Sequence, residues 1–330
     1  MFKDLKEYEK YLRNKKIDSI DISEENYFEH SVNGEIIIGN KDYNNSAIEV
    51  SNYTNCIKWI LLKDKRTMAL LKYPFGDVYR NLSKEQYDIS LYNNILLPQI
   101  AGQMQSESAK YYIAEPNKAS NNRRHLVTID FKNPSEELIY GEEILEQTDG
   151  DINELNIQNI INHLKAYLVK EQIKSQDIES IKREFIKQSL FNRFVKQSDE
   201  NNHNWGILLN QENNRARIAP IYDLDCCCEI GTLRKHVRTT QDDSKYSMNS
   251  FIKEFGQYEW FIPYLKEVLE DFDINKAIEQ AKRATGIEIP ENIRNHYKNF
   301  FGEKYYELKS AYQQYIESEK SEPQEQDIEK

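Results

Sequence analysis

Short apolar runs broken by polar clusters mark the first part of the chain. Across residues 28–71 the runs at 35–38, 56–62 and 68–73 have the length of strands. The breaks between them are rich in Asn, Asp and Gly, the composition of turns. Pro74 ends the last of these runs. Ser83, with Glu85 close behind it, predicts a helix N-cap and a helix through about Ile100. Residues 110–114 and 125–131 predict two more strands, completing a mixed sheet with that helix against it. The first 28 residues read as a short helix and a polar linker.

After about residue 135 the period changes. Residues 152–170 carry helical spacing, and so do 178–195, where Ile178, Ile181, Phe185, Phe191 and Val195 fall on one stripe. Residues 205–209 and 216–219 are apolar runs around a polar turn at 211–215, the pattern of a hairpin. Beyond Ser250 the chain reads as mainly helical to about Ile316. The expected architecture is α+β and two-lobed, with a β-rich N-terminal lobe at 1–134 and a larger α-rich lobe at 135–318. The charged tail, 319–330, is expected to be disordered.

Composition narrows the function classes. The 330 residues are 39% hydrophobic and 30% charged, as in a globular protein. A formal net charge of −11 opposes broad attraction to nucleic acid or anionic lipid, so neither direct nucleic-acid binding nor a membrane partner is expected. No stretch approaches the ~18 apolar residues of a membrane-spanning helix. The start, MFKDLKEYEKYLRNKK, is charged and lacks the apolar run of a secretory signal, which predicts a cytoplasmic protein. Of the cysteines, Cys226, Cys227 and Cys228 are contiguous. Side chains alternate along an extended chain and converge poorly on a metal, so small apolar packing residues are expected there.

The chemistry concentrates at residues 197–223. A long amphipathic helix delivers the chain into a polar loop holding Asp199 and Asn204, five positions apart, and an apolar strand follows at once. Asp223 comes nineteen positions after Asn204, just beyond a second short apolar run. Taken singly, Asp199 and Asn204 would read as turn formers. Together they supply what phosphoryl transfer from ATP needs. One carboxylate orients the acceptor hydroxyl, while an amide oxygen and a second carboxylate hold magnesium against the phosphates. Magnesium takes hard oxygen ligands and needs few from the protein.

The order helix, D-x-x-x-x-N, W-G-I-L-L and A-P-x-Y-D resembles the C-terminal lobe of the HipA-like kinases, bacterial serine/threonine kinases with a divergent protein-kinase fold. The resemblance extends over roughly residues 56–270. Residues 69–76, A-L-L-K-Y-P-F-G, are similar to the family's strand bearing the ATP lysine. Residues 125–131 and 136–145 are similar to its hinge strand and the segment after it. The resemblance implies an ATP- and Mg2+-dependent kinase acting on a protein Ser or Thr hydroxyl, with an antitoxin-like protein as a further partner. It makes Asp199 the catalytic acidic residue, Asn204 and Asp223 the magnesium ligands, and Lys72 the lysine on the α- and β-phosphates. Glu85 or Asp88 would pair with Lys72, and the backbone around Thr128, Ile129 and Asp130 would border the adenine.

Two features depart from the family pattern. Asp199 is followed by Glu200 and Asn201 where the family has Arg-His, and no glycine-rich loop precedes Lys72. They motivate an alternative expectation, a nucleotide-binding pseudokinase acting as a regulatory module. His203 reads as a loop hydrogen-bonding residue. Thr232, Thr239, Thr240, Ser244 and Ser247, downstream of Asp223, are candidate autophosphorylation sites.

Overall fold

A computed structural model of the chain describes residues 27–32, 35–40, 57–62, 68–72, 84–114, 125–133, 135–154, 156–197, 201–228 and 247–321. The predicted N-terminal helix, the Ser83 cap, Cys56 and the segment holding Thr232, Thr239, Thr240 and Ser244 lie outside these residues.

The strand-like runs form β1 (Tyr27–Val32), β2 (Glu35–Asn40), β3 (Ile57–Leu62) and β4 (Met68–Lys72). With β5 (Tyr111–Ala114) and β6 (His125–Ile129) they make a six-stranded sheet in the order β1-β2-β3-β4-β6-β5. The mixed sheet expected from the sequence is corrected here, because each of these pairings is antiparallel. β5 follows helix α1 (Lys84–Gln103) after a connection at 104–110 and pairs antiparallel with β6. α1 is buried on nearly every side from Ile89 to Ala101. It packs on β5 and β6, and also on α7 (Ile274–Thr285) and α8 (Glu291–Ser321). The helix is enclosed by these neighbours, and its buried polar residues Ser90, Asn93 and Asn94 lie inside with the apolar ones.

A second antiparallel sheet, β7 (Glu137–Tyr140), β8 (Gly206–Asn210) and β9 (Arg215–Ile218), contains the expected hairpin. Its turn closes on Asn214 in the left-handed region, φ 51°, a conformation Asn tolerates. β7 leads directly into α2 (Gly141–Glu146), followed by α3 (Ile157–Lys170) and α4 (Ser175–Phe194). The apolar stripe read for α4 is buried at Ile178, Ile181, Phe185 and Phe191. Asn156 caps α3 by accepting from the Asn159 amide at 3.0 Å. α5 (Met248–Phe255) and α6 (Phe261–Asp271) precede α7, completing the helical remainder. Helix α8 runs to Ser321, so residues 319–321 are helical rather than part of a disordered tail. No helix among the described residues is long and apolar enough to cross a membrane.

Cys227 and Cys228 are fully buried in the core, and the described cysteines, Cys226 among them, are free thiols. Burial pushes the Cys227 thiol well above its usual range, so it stays neutral and packs as a small apolar group.

Candidate active site

The loop before β8 is held by two residues that the sequence reads as ordinary core and ordinary turn. Trp205 is 9% exposed, and its ring centroid lies 4.8 Å from that of Phe185 on α4. Its indole N–H donates to Asn202 Oδ1 at 2.8 Å. The Asn202 amide in turn donates to the carbonyls of Ile152 and Glu154 at 2.7 and 3.1 Å, which uses both ends of a buried side chain. Gly141 and Gly206 are required by close approach. A Cβ on Gly141 would overlap the Trp205 indole, and one on Gly206 would overlap the Ile139 carbonyl oxygen of β7. The backbone closes the same joint: Gly141 N–H donates to Trp205 O, and Glu142 N–H to Asn202 O, each at 3.0 Å.

Asp223 is anchored from three directions. Its N–H donates to the Tyr111 hydroxyl of β5 at 3.0 Å, and its carbonyl accepts the Gln197 amide at 2.9 Å. Two residues earlier, Ile221 exchanges backbone hydrogen bonds at 2.9 Å with the connection between α1 and β5, through Glu107 O and Ala109 N–H. Asp223 itself is left-handed at φ 56°, unusual for a residue with a Cβ. Such backbone persists where the surroundings over-determine it, and such residues cluster at functional sites.

The two segments meet at Tyr222, whose hydroxyl donates to the His203 carbonyl at 2.7 Å. Burial pushes the Tyr222 phenol well above its usual value, with Tyr140 and Asp223 adding to the effect. Asn204 and Tyr222 line one cavity of about 60 Å³, shared with Gln197 and Asn201. His203 pairs with Glu142 at 2.8 Å and is 55% exposed, a loop hydrogen-bonding residue as expected. The structure therefore brings the Asn204 loop and the Asp223 turn together. Asp199 lies outside the described residues.

Lys72 closes β4 opposite Leu126 of β6, and Thr128 lies opposite Leu70. The lysine strand and the strand expected to border adenine are thus direct neighbours. Glu85 sits in the first turn of α1, and Asp88 follows within the same helix, half-buried. Ile129 N–H donates to Lys110 O at 2.9 Å, while the Asp130 carboxylate is taken by Lys132 at 2.7 Å. Among the downstream hydroxyls, Ser247 caps α5 by accepting from the Ser250 amide at 3.2 Å.

Sequence reasoning passed over Arg217 and Glu136. The guanidinium makes a fork to the carboxylate, 2.9 Å from Nε and 3.0 Å from Nη2, and Nη2 also donates to Phe131 O at 3.1 Å. It fixes the connection between β6 and β7. Burial alone would raise the Glu136 carboxyl. Hydrogen bonds from Arg217 and Asn133 and the Arg217 charge outweigh that and hold it below its usual 4.5. A depressed carboxylate stabilises the fold above its unfolded pKa, and the contribution is lost as pH falls through the folded value. We therefore expect Arg217→Met to lower Tm at about pH 7, with the gap to wild type closing by about pH 3. Thermal melts at the two pH values check this, and a gap independent of pH would refute it.

No family model matches the chain, and no curated protein matches it. Among solved structures it is similar to the crystal structure of a Helicobacter pylori proinflammatory kinase, CtkA, with a TM-score of 0.55 at 13% identity. That match covers 79% of this chain and 95% of that one. The fold is kinase-like. The HipA–HipB–operator DNA complex of Shewanella oneidensis MR-1 is also similar, at 14% identity and a TM-score of 0.42, over 75% of this chain and 58% of that one. At 13% identity the likeness to CtkA is one of fold, and that fold agrees with the kinase resemblance drawn from the sequence. Within this kinase-like fold, no described group of three or more His, Cys, Asp or Glu residues is gathered for a metal. A carboxylate and an amide oxygen, Asp223 and Asn204, are nevertheless hard donors of the kind magnesium takes beside phosphate oxygens.

Proposed function

We propose that this chain is an ATP- and Mg2+-dependent phosphotransferase, a serine/threonine protein kinase of HipA-like type, with its site in a cleft between a β-rich and an α-rich lobe. The observation that carries this reading is the junction of the Asn204 loop with the left-handed Asp223 turn through Tyr222, within a kinase-like fold. Asn204 and Asp223 would hold magnesium, which supplies charge neutralisation to the transferring phosphoryl group. Asp199 would orient the acceptor hydroxyl and accept its proton. Lys72 would sit on the α- and β-phosphates, with Glu85 or Asp88 fixing it from α1. Residues 128–130 would border the adenine. The acceptor would be a protein Ser or Thr, and an antitoxin-like protein would be a further partner.

A second reading, a nucleotide-binding pseudokinase, is favoured by Glu200 and Asn201 standing where the HipA-like pattern has Arg-His. Calorimetric titration with ATP, with and without Mg2+, tests the part both readings share. Binding that tightens with Mg2+ is expected, and no binding in either condition would overturn both. Binding without transfer would select the pseudokinase.

A further inference from the structure

We propose that the Asn94 amide is the positioning group of the metal-binding turn: through Asp225 it fixes the backbone that presents Asp223, so helix α1 sets how tightly the site takes Mg2+. This deepens the phosphotransfer reading and rests on it. Asn94 is 1% exposed and Asp225 5%. Asn94 Nδ2 donates to Asp225 Oδ1 at 2.7 Å and to Ser90 O at 2.9 Å. The neighbouring Asn93 donates to Cys227 O at 3.0 Å, and its own oxygen accepts the Tyr297 hydroxyl of α8 at 2.9 Å. Tyr297 also reaches Ile89 O at 3.1 Å. Consecutive amides of one helix therefore grip the chain between Asp223 and Cys228.

That chain needs gripping. Asp223 and Cys228 are both left-handed, at φ 56° and 57°, and neither is glycine. Two such residues around a five-bond span hold only if the intervening positions are pinned. Cys228 N–H is tied to Val195 O of the α4 cap at 2.9 Å, and Asp223 to Tyr111 and Gln197; between them Asn93 holds Cys227 O and Asn94 holds the Asp225 carboxylate.

Asn94 is a poor residue for stability alone. Its Oδ1 is buried with no hydrogen-bond partner among the described residues. A stranded buried acceptor in a native core calls for an explanation, and the donor half of the same amide provides one. A side chain at this depth that donates to a carboxylate 131 positions away, while its own acceptor finds no partner among the described residues, is placed for Asp225.

The test exchanges the two groups. Asn94→Asp sets carboxylate against carboxylate; Asp225→Asn sets amide against amide; the double variant restores one donor and one acceptor with their positions reversed. Each is titrated with Mg2+ at fixed ATP, following nucleotide binding, and melted in parallel. Asn94→Asp should raise the half-saturating Mg2+ concentration by about 10- to 100-fold, the range seen for partners that orient metal ligands. The double variant should recover part of that loss, since it restores the pair between residues 94 and 225 but not the bond to Ser90 O. A double variant as impaired as Asp225→Asn alone would overturn the proposal, since Asp225 would then act on the metal itself. So would Asn94→Asp with a lowered Tm and a wild-type Mg2+ midpoint, the behaviour of a staple. If Asn94→Asp does not fold, Asn94→Ser is titrated instead; its shorter donor should shift the midpoint in the same direction, and an unchanged midpoint would again refute the idea. A wild type that binds no Mg2+–ATP would bring down the phosphotransfer reading and this inference together. A normal wild type with unmoved variants would bring down the inference alone.

Discussion

Asp223→Asn is expected to leave the protein folded and to cut phosphoryl transfer by roughly a thousandfold. Asparagine is, after glycine, among the residues that best tolerate a left-handed backbone, and Asp223 has φ 56°. Its N–H would still reach the Tyr111 hydroxyl and its carbonyl the Gln197 amide. What would disappear is the negative charge that the proposed site sets against magnesium. A bound metal contributes several kcal/mol of charge stabilisation in the transition state, at about 1.4 kcal/mol per tenfold in rate. Melting curves and initial rates at saturating ATP separate the two effects. Asp223→Ala is the useful contrast, because a Cβ without a polar side chain makes the same backbone cost about 1–2 kcal/mol, and its Tm should drop where that of Asp223→Asn does not. A wild-type rate in Asp223→Asn would remove Asp223 from the site.

The largest effect on stability is expected at Trp205. Its indole is buried against Phe185 and covers Gly141, and its N–H ends the Asn202 bridge that ties the loop to residues 152–154. Trp205→Ala removes that volume from beneath the loop and should cost about 3–5 kcal/mol, a large share of a typical domain's stability. For a chain of this size that amounts to a fall in Tm of roughly 10 °C. Trp205→Phe keeps most of the apolar area and loses the hydrogen bond, a cost of about 1 kcal/mol. If the loop carries catalysis, transfer should slow in Trp205→Phe by more than its small Tm change accounts for. Equal Tm values for wild type and Trp205→Ala would show that the loop is not held this way.

Much of the frame was legible because it depends on local periodicity. The stripe Ile178–Ile181–Phe185 reads as a helix face wherever it docks, and the hairpin reads from two apolar runs and a polar turn. β7 escaped notice for a physical reason. Four residues, ELIY, are too few to establish a period, and they become a strand only by pairing with β8, far along the chain. Direction failed similarly: nothing in the β5 or β6 sequences says that the sheet is antiparallel throughout.

The site divides along the same line. Asn204 and Asp223 stand out only because their order with Asp199 and the strand between them resembles the HipA-like pattern. Asn202 does not, since in Asn201-Asn202-His203-Asn204 every residue reads as a turn former, and only the fold commits the Asn202 side chain to Trp205 and residues 152–154. Asn94 and Asp225 are 131 positions apart, and neither looks unusual in its own segment. Arg217 alternates along β9 as a solvated strand residue would, yet it clamps Glu136 and the Phe131 carbonyl.

The most direct measurement is transfer of labelled γ-phosphate from Mg2+–ATP, wild type beside Asp223→Asn, to the protein itself and to added lysate proteins. Label on Ser or Thr with wild type alone is the predicted result. Equal label with both proteins, or none with either, would contradict a phosphotransfer site built on Asp223.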